Sequence, residues 1–152
     1  MKRLIVAGAV ALACAGGAAG AQDTAMSPAE IAAARQASLM MSGVTMGAIK
    51  AALDAGAPAQ SMGFSTAALT RWARALPGLF PAGTGPDALG AATKAKAEIW
   101  TDRAGFDAKA SDYAAAAARL QELVAAGDTA GAQAQFTVVR ASCQSCHDAY
   151  RS

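Results

Sequence analysis

The chain has 152 residues, with 13 Lys and Arg against 11 Asp and Glu. Two of the bases, Lys2 and Arg3, sit in an N-terminal leader; without them 11 bases face 11 acids, and no run of Lys or Arg elsewhere offers the clustered basic surface that nucleic acid requires. Beyond the leader no apolar stretch is long enough to span a bilayer, and the remainder is expected to be one soluble domain with a single core.

The leader comes first in chain order. Lys2 and Arg3 open it, the run LIVAGAVALAC is apolar but short, and Ala19 and Ala21 form an A-x-A pattern before Gln22. This predicts a signal peptide over residues 1–21, cleaved after Ala21, with residues 22–152 as the exported, periplasmic domain. A buried helix or a membrane anchor would explain neither the basic start nor the A-x-A. Lipid attachment at Cys14 is the weaker alternative, because VALAC places leucine one position off the usual lipobox.

The exported part is rich in alanine and poor in β-branched residues, with Gly and Pro in clusters, which predicts helices. Ser27-Pro28-Ala29-Glu30 reads as a capping box with Pro at the first helical position. The first helix is predicted from Pro28 to about Ala55, ended by Gly56 and Pro58. A second is predicted from about Ala59 to Leu76, weakened early by Gly63 and by Ser65-Thr66. The stretch PGLFPAGTGPDALG, residues 77–90, reads as a long loop covering one end of the domain.

The third helix carries the clearest pattern. Ile99, Arg103, Phe106, Ala110, Tyr113, Ala117, Leu120 and Val124 alternate at spacings of four and three, as in a helix packed lengthwise on its neighbours. The alanine run at 114–118 lets another helix approach closely. Gly127-Asp128 breaks and recaps the chain. The fourth helix is predicted from about Thr129 to Tyr150, with Phe136, Val139, Cys143, Cys146 and His147 on or near one face. The expected fold is all-α, an antiparallel up-down-up-down four-helix bundle.

The chemistry is concentrated in CQSCH, Cys143 to His147, which holds the only histidine in the chain. Export puts both thiols in an oxidising compartment, where they would normally be bonded to something. A dithiol redox site usually lies at a helix N-terminus after a strand; here the motif is near a helix C-terminus, where the dipole has the wrong sign. Zinc needs three or four ligands, and there is no second Cys/His cluster. Covalent haem attachment is the third reading, and C-x-x-C-H is its recognised pattern. Residues i, i+3 and i+4 share one helix face, so two sulfurs can add to the haem vinyls while the imidazole reaches the iron. This reading consumes both thiols and is favoured. Only five residues follow His147, so any second axial ligand comes from upstream and cannot be histidine.

A helical exported chain ending in CQSCHDAYR resembles the cytochromes c′, the class II c-type cytochromes. RQASL at 35–39, LFPAGTG at 79–85, KAKAEIWTDRAGF at 94–106 and ASCQSCHDAYR at 141–151 are similar to that family's first-helix motif, loop, third-helix start and haem-binding end. The resemblance implies a four-helix bundle with one haem c near one end, bound through Cys143 and Cys146 with His147 as the proximal iron ligand. It implies homodimers that use the first two helices.

It also divides the options for the other side of the iron. High-spin members have an apolar residue there and low-spin relatives a methionine; the matching position is Leu39. Met40 and Met41 are neighbours, but Leu39, Met46, Ile49 and Leu53 share a helix face from which Met40 is turned by about 100°. Leu39 is therefore expected over a five-coordinate iron, with a low-spin electron carrier ligated by Met40 as the alternative. By matched position Arg35 and Gln36 meet the haem propionates, Ile99 and Phe106 line the pocket, and Arg151 lies near the proximal imidazole. An arginine fork suits a carboxylate. The implied function is binding of nitric oxide and carbon monoxide, electron transfer, or both. No acid or base stands ready on the distal side, so no enzymatic activity is expected.

Overall fold

The computed structural model describes residues 25–152. The predicted leader, including Cys14, lies outside the described residues. Helix α1 spans Pro28–Asp54 and begins with the predicted capping box: the Ser27 hydroxyl accepts the Glu30 N–H at 3.3 Å, and the Glu30 carboxylate accepts the Ser27 N–H at 2.7 Å. Both bonds satisfy amides that a helix start otherwise leaves unpaired. The Ser27 hydroxyl, which also donates to the Glu30 carboxylate at 2.7 Å, and then the Ser27 N–H hold the Glu30 carboxyl below the usual carboxylate range. The helix ends at Ala55, and Gly56 follows in the left-handed region at φ 64°.

The predicted second helix is split. Ala59–Met62 is a 3₁₀ turn and α2 is Gly63–Ala75. Its two buried threonines are satisfied without disrupting it. Thr66 Oγ1 donates back to Met62 O at 3.1 Å, and Thr70 Oγ1 lies 2.9 Å from Thr66 O and 3.2 Å from Ala117 O on a neighbouring helix.

The stretch predicted as a loop over 77–90 is more ordered than the sequence reading expects. A 3₁₀ turn covers Leu76–Leu79, a short α3 covers Pro86–Leu89, and another 3₁₀ turn covers Gly90–Ala92. The third-helix stripe is also interrupted. Ile99 lies in a separate turn, α4 (Glu98–Thr101), and α5 runs Arg103–Ala125. The chain leaves helical geometry at Asp102 (φ −116°, ψ 55°), whose carboxylate instead caps α5 by accepting the Gly105 N–H at 3.1 Å. Helix α6 is Thr129–Tyr150, capped by Asp128 on the Gly131 N–H at 2.8 Å.

These helices form a four-helix bundle of α1, α2, α5 and α6. The stripe residues Phe106, Ala110, Tyr113, Ala117, Leu120 and Val124 are buried, while Arg103 at its start is half-exposed. Helix α1 packs on α2, α2 on α5 and α5 on α6, with Ala73, Ala110, Ala117 and Ala132 buried among them. The fourth side of the bundle is different, because α1 and α6 scarcely meet. Among the described residues no helix is long and apolar enough to cross a membrane.

Candidate functional site

The C-x-x-C-H motif occupies the last turns of α6, on the helix that α1 leaves largely uncovered. Beneath it Phe136 and Val139 are buried. Cys143 and Cys146 are free, half-buried and packed against that core; His147 is exposed. Burial raises both thiol pKa values. Cys143 is raised further by Cys146 and eased by Arg140; Cys146 is eased by Lys109. An activated dithiol would show the opposite shift. Desolvation and then Arg151 lower the His147 pKa, partly opposed by Asp148, which favours the neutral imidazole, the form that binds metal. Among the described residues no group of three or more His, Cys, Asp or Glu could hold a metal ion by itself.

On α1, Leu39 is half-buried and packs against the core. Met46, Ile49 and Leu53 follow on the same inward face. Met40 and Met41 point away from it, 71% and 61% exposed. One turn before Leu39 lies Arg35, only 2% exposed. Its guanidinium donates to Leu79 O (3.4 Å), Thr84 Oγ1 (3.1 Å), Thr84 O (3.1 Å) and Thr93 Oγ1 (3.3 Å). It stacks over the Phe80 ring at 4.7 Å. Its ion partner is missing: the salt bridges among the described residues are Lys50–Asp54, Arg103–Asp107 and Arg119–Glu122. Burial lowers the Arg35 pKa. A buried cation whose hydrogen-bond partners are all neutral is an electrostatic request for an anion.

The remaining predicted residues divide. Gln36 is exposed and donates to Ala92 O at 2.9 Å. Ile99 and Phe106 are core residues, Phe106 lying edge-to-face with Phe80 and Tyr150. Arg151 is exposed and pairs through its backbone with Ala95. Trp100, which the sequence leaves without a role, donates Nε1–H to Pro81 O at 2.9 Å; a Cβ at residue 85 would come within 3.1 Å of its ring, so Gly85 lets the loop close on it. Sequence reasoning misses Thr84, Thr93, Lys96 and Asp102. Their partners lie tens of residues away, and only the Asp102-x-x-Gly105 capping pattern was visible locally.

Two thiols one helical turn apart, an imidazole beside the second, a side of the bundle that α1 and α6 leave open, and a buried cation without an anion together suit a haem and its propionates. Fold and motif thus define a class, the helical bundles that carry a covalently bound haem on their last helix. A family model described as Cytochrome C' matches residues 30–151. The chain is 29% identical to cytochrome c' of Allochromatium vinosum over 153 aligned positions, covering 100% of this chain and 99% of that one. It is 32% identical to cytochrome c' of Pararhodospirillum photometricum over 118, covering 77% and 92%. A nitric oxide complex of a mutant cytochrome c prime from Alcaligenes xylosoxidans superposes with a TM-score of 0.75 at 27% identity, covering 84% of this chain and 98% of that one. Cytochrome c' from Rubrivivax gelatinosus gives 0.73 at 28%, covering 82% and 97%. The chain belongs to the cytochrome c′ family, whose members bind one covalent c-type haem.

Proposed function

We propose that this protein is a periplasmic haem protein that binds nitric oxide and carbon monoxide at a five-coordinate iron. Cys143 and Cys146 hold the haem as thioethers and His147 is the single protein ligand to iron. When bound, the haem supplies a reversible one-electron change and a coordination site for a diatomic gas. Leu39 limits access to that site and offers it no lone pair. Arg35 supplies the charge a propionate neutralises: four hydrogen bonds go to the loop, and Nε–H is its remaining donor. Gln36 lies one residue on.

The observation that carries the reading is the rotation of α1, which puts Leu39 inward and Met40 and Met41 outward. The nitric oxide complexes among the similar structures support it. The test is an absorption spectrum of the holoprotein, oxidised and then reduced. A broad high-spin ferrous Soret band that shifts on addition of carbon monoxide, and again with nitric oxide, is expected. A sharp α band indifferent to carbon monoxide would overturn the reading and make Met40 the sixth ligand of an electron carrier.

The same rotation leaves Met40, Met41 and Val44 exposed on α1, with Phe64 at 88% exposure at the start of α2. Isolated apolar residues on a surface need no explanation, but Met40, Met41 and Val44 fall within five residues of one helix and call for cover. This supports a homodimer through α1 and α2. Sedimentation of the holoprotein is expected to give twice the protomer mass, and Val44→Asp with Phe64→Asp to give one; a monomeric wild type at micromolar concentration would refute the dimer.

A further inference from the structure

The turn of α6 that carries His147 is held from outside the helix, by residues that are not in the motif. The last carbonyls of a helix have no donor within it. Here Lys96 supplies two: its N–H donates to Tyr150 O at 3.0 Å and its Nζ to Asp148 O at 3.1 Å. Ser152 N–H donates to Lys94 O at 2.9 Å, so residues 94–96 run antiparallel to 150–152. Tyr150 is buried, with its ring edge-to-face on Phe106 at 5.4 Å, and its hydroxyl donates to Asp102 Oδ2 at 3.0 Å. The other oxygen of that carboxylate caps α5. A Cβ at residue 105 would lie 2.2 Å from Asp102 Oδ2, so glycine there leaves the carboxylate its place. One carboxylate thus starts α5 and anchors the turn just after His147.

Tyr150 lies three residues past His147, within one turn. Turning that part of the helix about its axis swings both side chains together. A ring wedged on Phe106 and a hydroxyl fixed on Asp102 prevent the turning. We propose that Asp102 and Tyr150 are positioning residues for His147: their hydrogen bond, with the pairing of 94–96 to 150–152, fixes the direction of the imidazole and so limits how readily His147 separates from iron, its electron pair leaving with the nitrogen. The inference rests on the reading of His147 as the iron ligand.

The test compares holoproteins carrying Tyr150→Phe, Asp102→Ala and, as a control for stability alone, Thr70→Val, which breaks the buried bond between α2 and α5. The first readout is the iron–imidazole stretching band of the ligand-free ferrous protein by resonance Raman. The second is the proportion of the nitric oxide complex that has lost the His147 bond, by electron paramagnetic resonance. Tyr150→Phe and Asp102→Ala are expected to lower and broaden the band and to raise that proportion roughly two- to tenfold, the range of one lost hydrogen bond. Thr70→Val is expected to lower the melting temperature and move neither. If both clamp variants melt earlier but keep the wild-type band and proportion, the contact only fastens the helix end and the proposal falls. If wild type itself shows no iron–imidazole band, His147 is not the ligand, and the proposal falls with the reading beneath it. Should Tyr150→Phe fail to mature, Asp102→Ala gives the same decision.

Discussion

The double variant Cys143→Ala with Cys146→Ala is expected to emerge from a host with haem-attachment machinery with no covalently bound haem. Haem staining after denaturing electrophoresis should fall to background, whereas His147→Ala should still stain and change its spectrum. The contrast follows from the proposed roles: on that reading the sulfurs carry the bonds that survive denaturation, and the imidazole carries only the bond to iron. Loss of fold would not explain the result. The thiols are half-buried, and the residues that anchor α6 beneath them, Phe136 and Val139, are untouched. Truncating each thiol costs about 1 kcal/mol or less. Far-UV circular dichroism should therefore keep its helical signal while the stain disappears. A double variant that still stains would remove these cysteines from the attachment site.

Much of this was readable from the chain, for identifiable reasons. The bundle follows from patterns that are local. The Ser27–Glu30 box needs four consecutive residues, and the stripe on α5 needs only the 3.6-residue period. The haem motif is readable because its chemistry is compressed into five residues. The orientation of Leu39 against Met40 is readable for a similar reason, since one step along a helix is a fixed rotation. What was missed depends on distant partners. The break at Asp102 sits inside a periodic stripe that continues on either side of it, so periodicity alone reads through it. The Asp102 carboxylate, which caps α5, is engaged by Gly105 nearby and by Tyr150 far along the chain. The stretch over 77–90 reads as a loop because Pro and Gly dominate it, yet Leu79 and Thr84 within it are held by a residue of α1.

That residue, Arg35, gives the second large effect. Composition places arginine on surfaces, so nothing in the sequence signals that it is an interior post. Its four donations span Leu79, Thr84 and Thr93, and its plane covers Phe80. Two effects oppose each other when it is removed. Deleting a desolvated charge relieves the folded state; leaving several oxygens without donors penalises it. The direction of the pKa shows that the first effect exists, since burial lowers it. Arginine nevertheless stays protonated throughout the accessible range. A base with a lowered folded pKa is disfavoured in its charged form, and the relief would arrive only as pH rose through that folded value, beyond ordinary alkaline conditions. The relief is therefore constant between pH 5 and 9 and cannot be titrated away. Against it stand up to four unmet acceptors at about 1 kcal/mol or more each, and the lost cover over Phe80. The acceptors win. Arg35→Ala is expected to destabilise the holoprotein by about 3 kcal/mol, lowering the melting midpoint by roughly 10 °C, with little dependence on pH. Lysine should not rescue it, because one ammonium cannot reach oxygens that a planar fork reaches from two nitrogens. Equal melting of Arg35→Ala and wild type would mean that the loop is held without its post.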